Sequence, residues 1–291
     1  MQAEYGKSCR VDATTALTPT TGAAWRWAGI LLTLFWADGA WAALAPAWPL
    51  NDTGIDWWAD GSRNNLAAAP AGYPGQDASQ GRDAAQDNDV DGHAGFSFTK
   101  LDANGMALSA GATSWSCVRD NVTGLIWEVK TDDAGLRDRD WTYSWYNPDA
   151  TSNGGAASYR NAGSCGGEID CDTLGFTQAV NRTGLCGATD WRLPNRKELQ
   201  SIVDRSRVDP AIDTNYFPDL GSSRWRYWSS SPYAYGADSA WILVFNDGSD
   251  RTNDKSNGNQ VRLVRGGQAD ALLRFCSECL PGRGGWRAIL R

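Results

Sequence analysis

The placement of the cysteines constrains the fold of this chain more than any other feature of its sequence. Six of the seven cysteines follow residue 42, and four of these are Cys117, Cys165, Cys171 and Cys186. Cys165 and Cys171 enclose a short glycine-containing loop, so we expect them to pair locally. Cys117 with Cys186 would then close a loop of roughly 70 residues, which stabilises by about 4 kcal/mol in the chain-entropy model. The sequence alone leaves other pairings open.

The N-terminal region indicates that these cysteines reach an oxidising compartment. Residues 27–36 form an apolar run, preceded by Arg26 and followed by an A-x-A pattern at residues 40–42. Such a run is too short to span a bilayer and is typical of a secretory signal peptide, with an uncleaved anchor as the alternative. We therefore predict an exported protein (periplasmic, on the outer surface or secreted) without a membrane span after cleavage. Cys9 would leave with the signal, and an even set of cysteines in that compartment favours disulfides.

Aromatic residues and glycine are unusually frequent in this chain. It contains 16 Trp, 9 Tyr and 32 Gly, which predicts a loop-rich fold whose loops are held by large rings. The net charge of -7 argues against a general nucleic-acid-binding protein, because such proteins carry a basic excess.

Alternation and turn signals predict short antiparallel strands around two short helices. We expect strands over residues 96–101, 124–130, 227–231, 240–245 and 260–265. The first returns through a hairpin turn at residues 102–105. One helix is expected over residues 172–181, and a second begins after Asn195, where Glu198 completes a capping box, and ends near Arg207. This arrangement predicts an α+β domain.

The composition divides the chain into four parts. These are a signal peptide (1–42), an extended N-terminal arm with a hairpin (43–111), a folded domain (112–268) and a tail of unknown structure (269–291). The tail holds Cys276 and Cys279, which have the spacing of a redox pair but lack the βαβ pattern that would support that role.

Four segments of the folded domain carry a resemblance to a bacterial family. They are residues 119–128, 190–199, 227–231 and 261–267. By their order and spacing, the chain resembles the family named for the C-terminal domain of the Legionella collagen-like adhesin. The resemblance implies a fold like those of C-type lectins and formylglycine-generating enzymes.

The functional implications of this resemblance are narrower. The named adhesin is a trimer that binds sulfated polysaccharide, so the resemblance implies a trimer and a polysaccharide or envelope-protein partner. This chain has no Gly-X-Y collagen stalk, which argues against the trimer, and its acidic charge argues against a sulfated glycan. Family resemblance is stronger evidence for fold than for function.

An acidic turn before the first predicted strand is the sharpest chemical signal. Asp87, Asp89 and Asp91 alternate and are closed by Gly92, a pattern that can wrap Ca²⁺. The twelfth position of this loop is Phe98 instead of Glu, so the loop is not an EF-hand. We hypothesise a structural Ca²⁺ site, and the alternative is a solvated acidic turn.

Catalysis has little support in the sequence. His93 is the single histidine, so a multi-histidine zinc site is impossible and a histidine-based triad could form only around it. We expect His93 to be a loop residue, and no carboxylate pair stands out as glycosidase machinery. We therefore predict no catalytic residue and no enzyme.

Aromatic loops are the remaining candidates for ligand binding. The predicted ligand-binding residues are Trp141, Tyr143, Trp145, Tyr146 and Trp225, whose rings lie among polar residues as in saccharide sites. The alternative is that these rings only fix loops onto a small core. Other rings, in the family-like segments, are expected to be buried: Trp127, Trp191, Trp228 and Trp241.

These observations favour an exported, non-catalytic ligand-binding or adhesion protein that recognises a glycan or an envelope partner. The first alternative is a structural envelope protein with calcium-stabilised loops and no dedicated ligand. The second is an enzyme of unknown type.

Overall fold

Two antiparallel sheets organise the chain in a computed structural model that describes residues 51–85, 89–221 and 225–266. The first sheet has the order β1-β2-β3-β7, with strands Phe98–Leu101, Cys117–Asp120, Ile126–Glu128 and Val264–Arg265. The second has the order β4-β5-β6, with strands Arg226–Pro232, Ser239–Val244 and Ser249–Asp254. The predicted signal peptide, the tail and Asp87 lie outside the described residues.

The helices are short; one precedes the first strand, and the other two lie between β3 and β4. They are α1 (Gly81–Ala85), α2 (Thr173–Thr183) and α3 (Arg196–Gln200), with 3₁₀ turns at Asp77–Ser79 and Leu185–Gly187. Asp172 caps α2 by accepting a hydrogen bond from the Gly175 N–H, and Gly184 ends it with a φ of 67°. Within the described ranges, no helix has the length and apolarity needed to cross a membrane.

The α+β prediction and both expected disulfides are confirmed. Cys117 is bonded to Cys186, and Cys165 is bonded to Cys171. The hairpin after β1 is also present, since Leu101 pairs with Ala107 across the predicted turn.

Helix α3 begins as predicted but ends early, at Gln200. Asn195 and Glu198 form the expected capping box. The predicted end near Arg207 is wrong because the N-terminal segment takes the backbone bonds that would extend the helix: Asn51 donates to the Ser201 carbonyl, and the Arg205 N–H donates to the Thr53 carbonyl. Long-range pairing thus replaces local helix formation.

The alternating segment at residues 260–265 is only partly a regular strand. Continuous strand pairing is limited to β7, yet Gln260 and Arg262 are buried together with their apolar neighbours. Gln260 pairs with Tyr227 of the second sheet, whereas Val264 pairs with Trp127 of the first. The segment therefore connects the two sheets and is covered on both faces, so its alternation does not separate a buried face from a solvent face.

The predicted extended arm is packed against the rest of the fold over its described part. Phe96 and Phe98 lie in the core, stacked with ring centres 5.5 Å apart, and Phe98 contacts Phe217 edge-on. Asn51 also donates to the buried carboxylate of Asp120. The sequence of this region is rich in Gly, Pro and Ala, and such a composition gives no local signal of the long-range contacts that hold the region in place.

The core consists of two clusters. One joins the first sheet to the segment after α3 and includes Trp127, Leu199 and Phe217. The other lies between α2 and the second sheet and includes Phe176 and Trp228. Trp191 is buried as predicted, whereas Trp241 is only half-buried, which differs from the prediction.

Candidate functional site

The predicted aromatic binding loop is mostly structural. Tyr143 and Trp145 are 0% and 1% exposed, so neither ring face can meet a ligand from solvent. The Trp145 indole N–H donates to the Ser229 carbonyl, and Tyr143 packs against Phe176 with ring centres 4.6 Å apart. The prediction of these two residues as ligand contacts is therefore not supported by their burial: both rings fill the second core cluster.

The other three predicted ligand residues are partly accessible. Trp141 and Tyr146 are half-buried, and the Trp141 indole N–H donates to the Gly135 carbonyl. Trp225 is also half-buried, packs against the first core cluster and donates to the Gly221 carbonyl. Trp141 packs against the second core cluster, so Trp141 and Trp225 are held by different clusters.

The acidic turn satisfies part of its hydrogen-bonding capacity internally. Asp89 accepts a hydrogen bond from the Ala94 N–H at 2.8 Å, and Asp91 accepts one from the Ser97 hydroxyl at 2.5 Å. The described ranges contain no group of three His, Cys, Asp or Glu side chains placed to hold a metal. Because Asp87 is outside those ranges, the Ca²⁺ hypothesis stays a prediction.

An open pocket lies beside this turn, where the N-terminal region meets the segment after α3. Its volume is about 620 Å³. Its polar and aromatic lining includes Asp89, His93, Lys100, Trp115, Arg207, Asp213 and Tyr216. It combines two aromatic rings with donors and acceptors of both charges, so its lining is more polar than that of most small-molecule sites.

Lys100 and Trp115 form one wall of the pocket. The Lys100 ammonium lies 3.7 Å from the centre of the Trp115 ring and donates to the Ala112 carbonyl. Burial lowers the pKa of Lys100, and the nearby Asp213 carboxylate opposes that effect. The Trp115 indole N–H donates to the Tyr216 carbonyl, so this wall is fixed before any ligand arrives.

His93 is a loop residue, as expected, and it has two acidic neighbours. It lies in a bend, and its imidazole stands between two carboxylates: Nδ1 is 3.4 Å from Asp204 and Nε2 is 3.8 Å from Asp56. Asp204 is buried and also lies 2.6 Å from the Arg207 guanidinium. His93 and the Asp204–Arg207 ion pair therefore lie together on this side of the pocket.

A second titratable group lies near the start of α1. Asp83 is 8% exposed, and burial, followed by the Asp52 and Asp77 charges, raises its pKa from 3.8 to about 6. The Asp52 carboxylate accepts hydrogen bonds from the backbone N–H groups of Arg82 and Asp83. Asp83 therefore keeps its proton to a higher pH than an ordinary aspartate does, because burial raises its pKa.

Three charged residues are buried in the centre of the fold. The Lys130 ammonium lies 3.2 Å from the Glu128 carboxylate, whose second oxygen accepts from the Leu263 N–H. Arg262 donates to the Glu128 carbonyl and lies near the Tyr227 ring. Burial lowers the pKa of Lys130, and its pairing with Glu128 opposes this shift. These contacts join the end of β3 to the segment that leads into β7.

Sequence reasoning missed most of the pocket. Its walls come from positions as far apart as Lys100 and Tyr216, and no local pattern joins them. The one available signal was His93 directly after the acidic turn, which we interpreted as a loop residue. Nothing in the sequence around Trp115 indicated that its half-exposed ring would line a pocket.

Comparison with known proteins identifies a family for the central part of the chain. The Lcl C-terminal domain profile matches residues 116–265, which span β2 through β7. Among curated proteins and among solved structures, none matches this chain.

Proposed function

The chain belongs to the Lcl C-terminal domain family, and on that premise we propose that it is an exported, non-catalytic binding protein whose pocket holds a saccharide unit. The observation that carries this proposal is the pocket of about 620 Å³ with fixed aromatic and charged walls. Ligand sites generally have volumes of about 300–1,000 Å³.

The pocket chemistry favours a polyhydroxylated ligand. Sugar hydroxyls both donate and accept hydrogen bonds, and their C–H faces pack on aromatic rings. Asp89 and Asp213 offer acceptors, Arg207 offers donors, and Trp115 supplies a ring at the same opening. Because cationic and anionic groups are mixed, a neutral saccharide fits better than a highly sulfated one.

The family and the two disulfides fit an exported protein. We propose that the two-sheet α+β fold is a C-type-lectin-like variant, with polysaccharide or envelope protein as the biological source of the ligand. The family resemblance also implies a trimer, against which the missing collagen stalk argues.

A structural envelope protein is the second candidate. The observation that favours it is the burial of Glu128, Lys130 and Arg262 at the centre of the fold, since such networks hold architecture without contacting a ligand. If the protein has this structural function, the acidic turn would bind Ca²⁺ and the pocket would have no dedicated ligand.

A glycan array followed by calorimetry on the oxidised chain tests the first proposal. Ala110 is an exposed residue of the pocket lining, so Ala110→Trp should fill the pocket and abolish binding without disturbing the core. Ala150→Trp places the same ring at an exposed loop position outside the lining and serves as the matched control.

The expected result is a saccharide that binds the wild-type chain and Ala150→Trp equally but not Ala110→Trp. Equal binding to all three proteins would place the saccharide outside the pocket. An array without a binder would contradict the saccharide proposal and favour the structural candidate.

A further inference from the structure

Asparagine followed by glycine occurs three times in this chain. The pairs are Asn104–Gly105, Asn153–Gly154 and Asn257–Gly258. In such a pair the glycine nitrogen can attack the asparagine carboxamide, because glycine has no Cβ to obstruct the approach. In a folded chain the attack also requires a glycine N–H that is free of hydrogen bonds and a carboxamide that water can reach.

The first pair is held by its hairpin turn. The Gly105 N–H donates to the Asp102 carbonyl at 3.0 Å. A Cβ on Gly105 would lie 2.6 Å from the carbonyl oxygen of Cys186, so this peptide unit packs directly against a disulfide-bonded residue. The Gly105 nitrogen is therefore engaged, although the Asn104 side chain is exposed.

The second pair is protected by burial. Asn153 is 5% exposed, and its side-chain oxygen accepts a hydrogen bond from the Gly155 N–H at 2.9 Å. Its side-chain amide group donates to the Asn147 carbonyl at 3.3 Å, and its own backbone carbonyl accepts from the buried Lys255 ammonium. Both ends of the Asn153 carboxamide are thus held, and water is largely excluded from it.

The third pair has neither form of protection. Asn257 and Gly258 are both exposed, in the turn that follows β6. Within the described ranges, no group accepts a hydrogen bond from the Gly258 N–H. The Asn257 side-chain amide donates to the Asn253 side-chain oxygen at 2.8 Å, and its backbone N–H donates to the Asp254 carbonyl at 3.0 Å. The carboxamide is therefore held in place while the nitrogen that follows it in the chain is free.

We propose that Asn257 is a site of spontaneous deamidation in the folded protein, with water as the co-reactant. The Gly258 nitrogen loses its proton to solvent hydroxide and bonds to Cγ of Asn257. The Cγ–Nδ2 bond then breaks, and the nitrogen takes a proton from water and leaves as ammonia. Water opens the resulting succinimide at either carbonyl and gives aspartate or isoaspartate, so the net change is an amide replaced by a carboxylate.

The modification changes the turn after β6 in two ways. It adds a negative charge beside Asp254, whose pKa is lowered by hydrogen bonds from the Ser256 hydroxyl and N–H. The isoaspartate form also lengthens the backbone two positions before Asn259, whose N–H and carbonyl both pair with Tyr143. This reaction is independent of the pocket, since neither residue of the third pair lines that cavity.

The test incubates the oxidised full chain in ¹⁸O-labelled water at mildly alkaline pH and maps its peptides by mass spectrometry. Incorporated ¹⁸O marks carboxylates formed during the incubation, and an isoaspartyl carboxyl methyltransferase with a labelled methyl donor detects the isoaspartate product. In the folded chain, Asn257 should react at least about tenfold faster than Asn104 and Asn153. In urea, the three sites should react at similar rates, because the fold no longer protects two of them.

Two variants control the assignment. Asn257→Gln keeps an amide but lengthens the side chain by one methylene, which disfavours ring closure, so it should remove the fast reaction. Asn104→Gln is the matched control and should leave the fast reaction unchanged. The proposal is overturned if Asn257 stays intact in the folded chain for a time in which it reacts in urea. Equal rates at the three sites of the folded chain, or undiminished ¹⁸O uptake in Asn257→Gln, would overturn it as well.

Discussion

Replacement of Asp83 by Asn should make the protein more stable at neutral pH and leave its stability in acid nearly unchanged. The wild-type carboxyl is buried beside Asp52, and its pKa is about 6 in the folded state against an ordinary value of 3.8. The folded state therefore binds this proton more tightly than the unfolded chain does. That stabilising contribution is complete below about pH 4 and is lost as the pH rises through about 6.

The magnitude follows from the same shift. A difference of about two pKa units corresponds to roughly 3 kcal/mol, and screening by solvent at the edge of the site reduces the expected effect to about 1–2 kcal/mol. The introduced asparagine resembles the protonated acid, because its amide oxygen can still accept from the Ala84 N–H and its N–H group can donate to Asp52. The Asp83→Asn variant therefore keeps, at every pH, the uncharged side chain that the wild type loses above about pH 6.

The assay is urea denaturation of the oxidised protein, followed by tryptophan fluorescence at a series of pH values from 4 to 8. Asp83→Asn should raise the free energy of unfolding at pH 8 by about 1–2 kcal/mol, with the difference closing towards pH 4. Glu168→Gln, which removes a charge from an exposed position, is the matched control and should give no such trend. A variant less stable than the wild type at every pH would refute the reasoning, since it would mean that Asp83 is needed as an anion.

Three further predictions concern the charged centre, the disulfides and the acidic turn. Lys130→Met leaves the buried Glu128 carboxylate without its partner and should lower the free energy of unfolding, measured by urea denaturation, by about 3–5 kcal/mol. The double variant that also carries Glu128→Gln should recover part of that free energy. Replacing both Cys117 and Cys186 by serine should lower the free energy of unfolding by about 4 kcal/mol, and replacing both Cys165 and Cys171 should lower it by about 2 kcal/mol. Equal losses would contradict the loop-length argument. If the acidic turn binds Ca²⁺, the ion should raise the melting temperature of the wild type but not of Asp89→Ala, and an unchanged wild-type melt would reduce the turn to a solvated loop.

Features that depend on neighbouring residues were predictable from the sequence. The capping box needs only Asn195 and Glu198, which are three positions apart, and it lies where the sequence places it. The small loop between Cys165 and Cys171 likewise favours pairing within the loop. In these cases the chain near each residue supplies both interaction partners, so local spacing carries the necessary information.

Burial of aromatic and charged residues was harder to predict because it depends on distant partners. Tyr143 and Trp145 lie in a polar-looking loop, yet the second sheet and α2 cover them. Arg262 alternates with apolar residues as an exposed strand residue would, but it lies between two sheets. The residue types in a segment do not show whether one face of that segment is buried or both faces are.

The bonds that the N-terminal segment makes also determine when the protein can finish folding. Asn51 reaches partners 69 and 150 positions later in the chain, at Asp120 and Ser201. The bond to Asp120 can form early, but the bond to the Ser201 carbonyl requires a chain that extends past residue 201. A truncated product that ends before residue 201 would lack this bond and would also lack Phe217, so the Phe98 ring would lose its edge-on partner in the core.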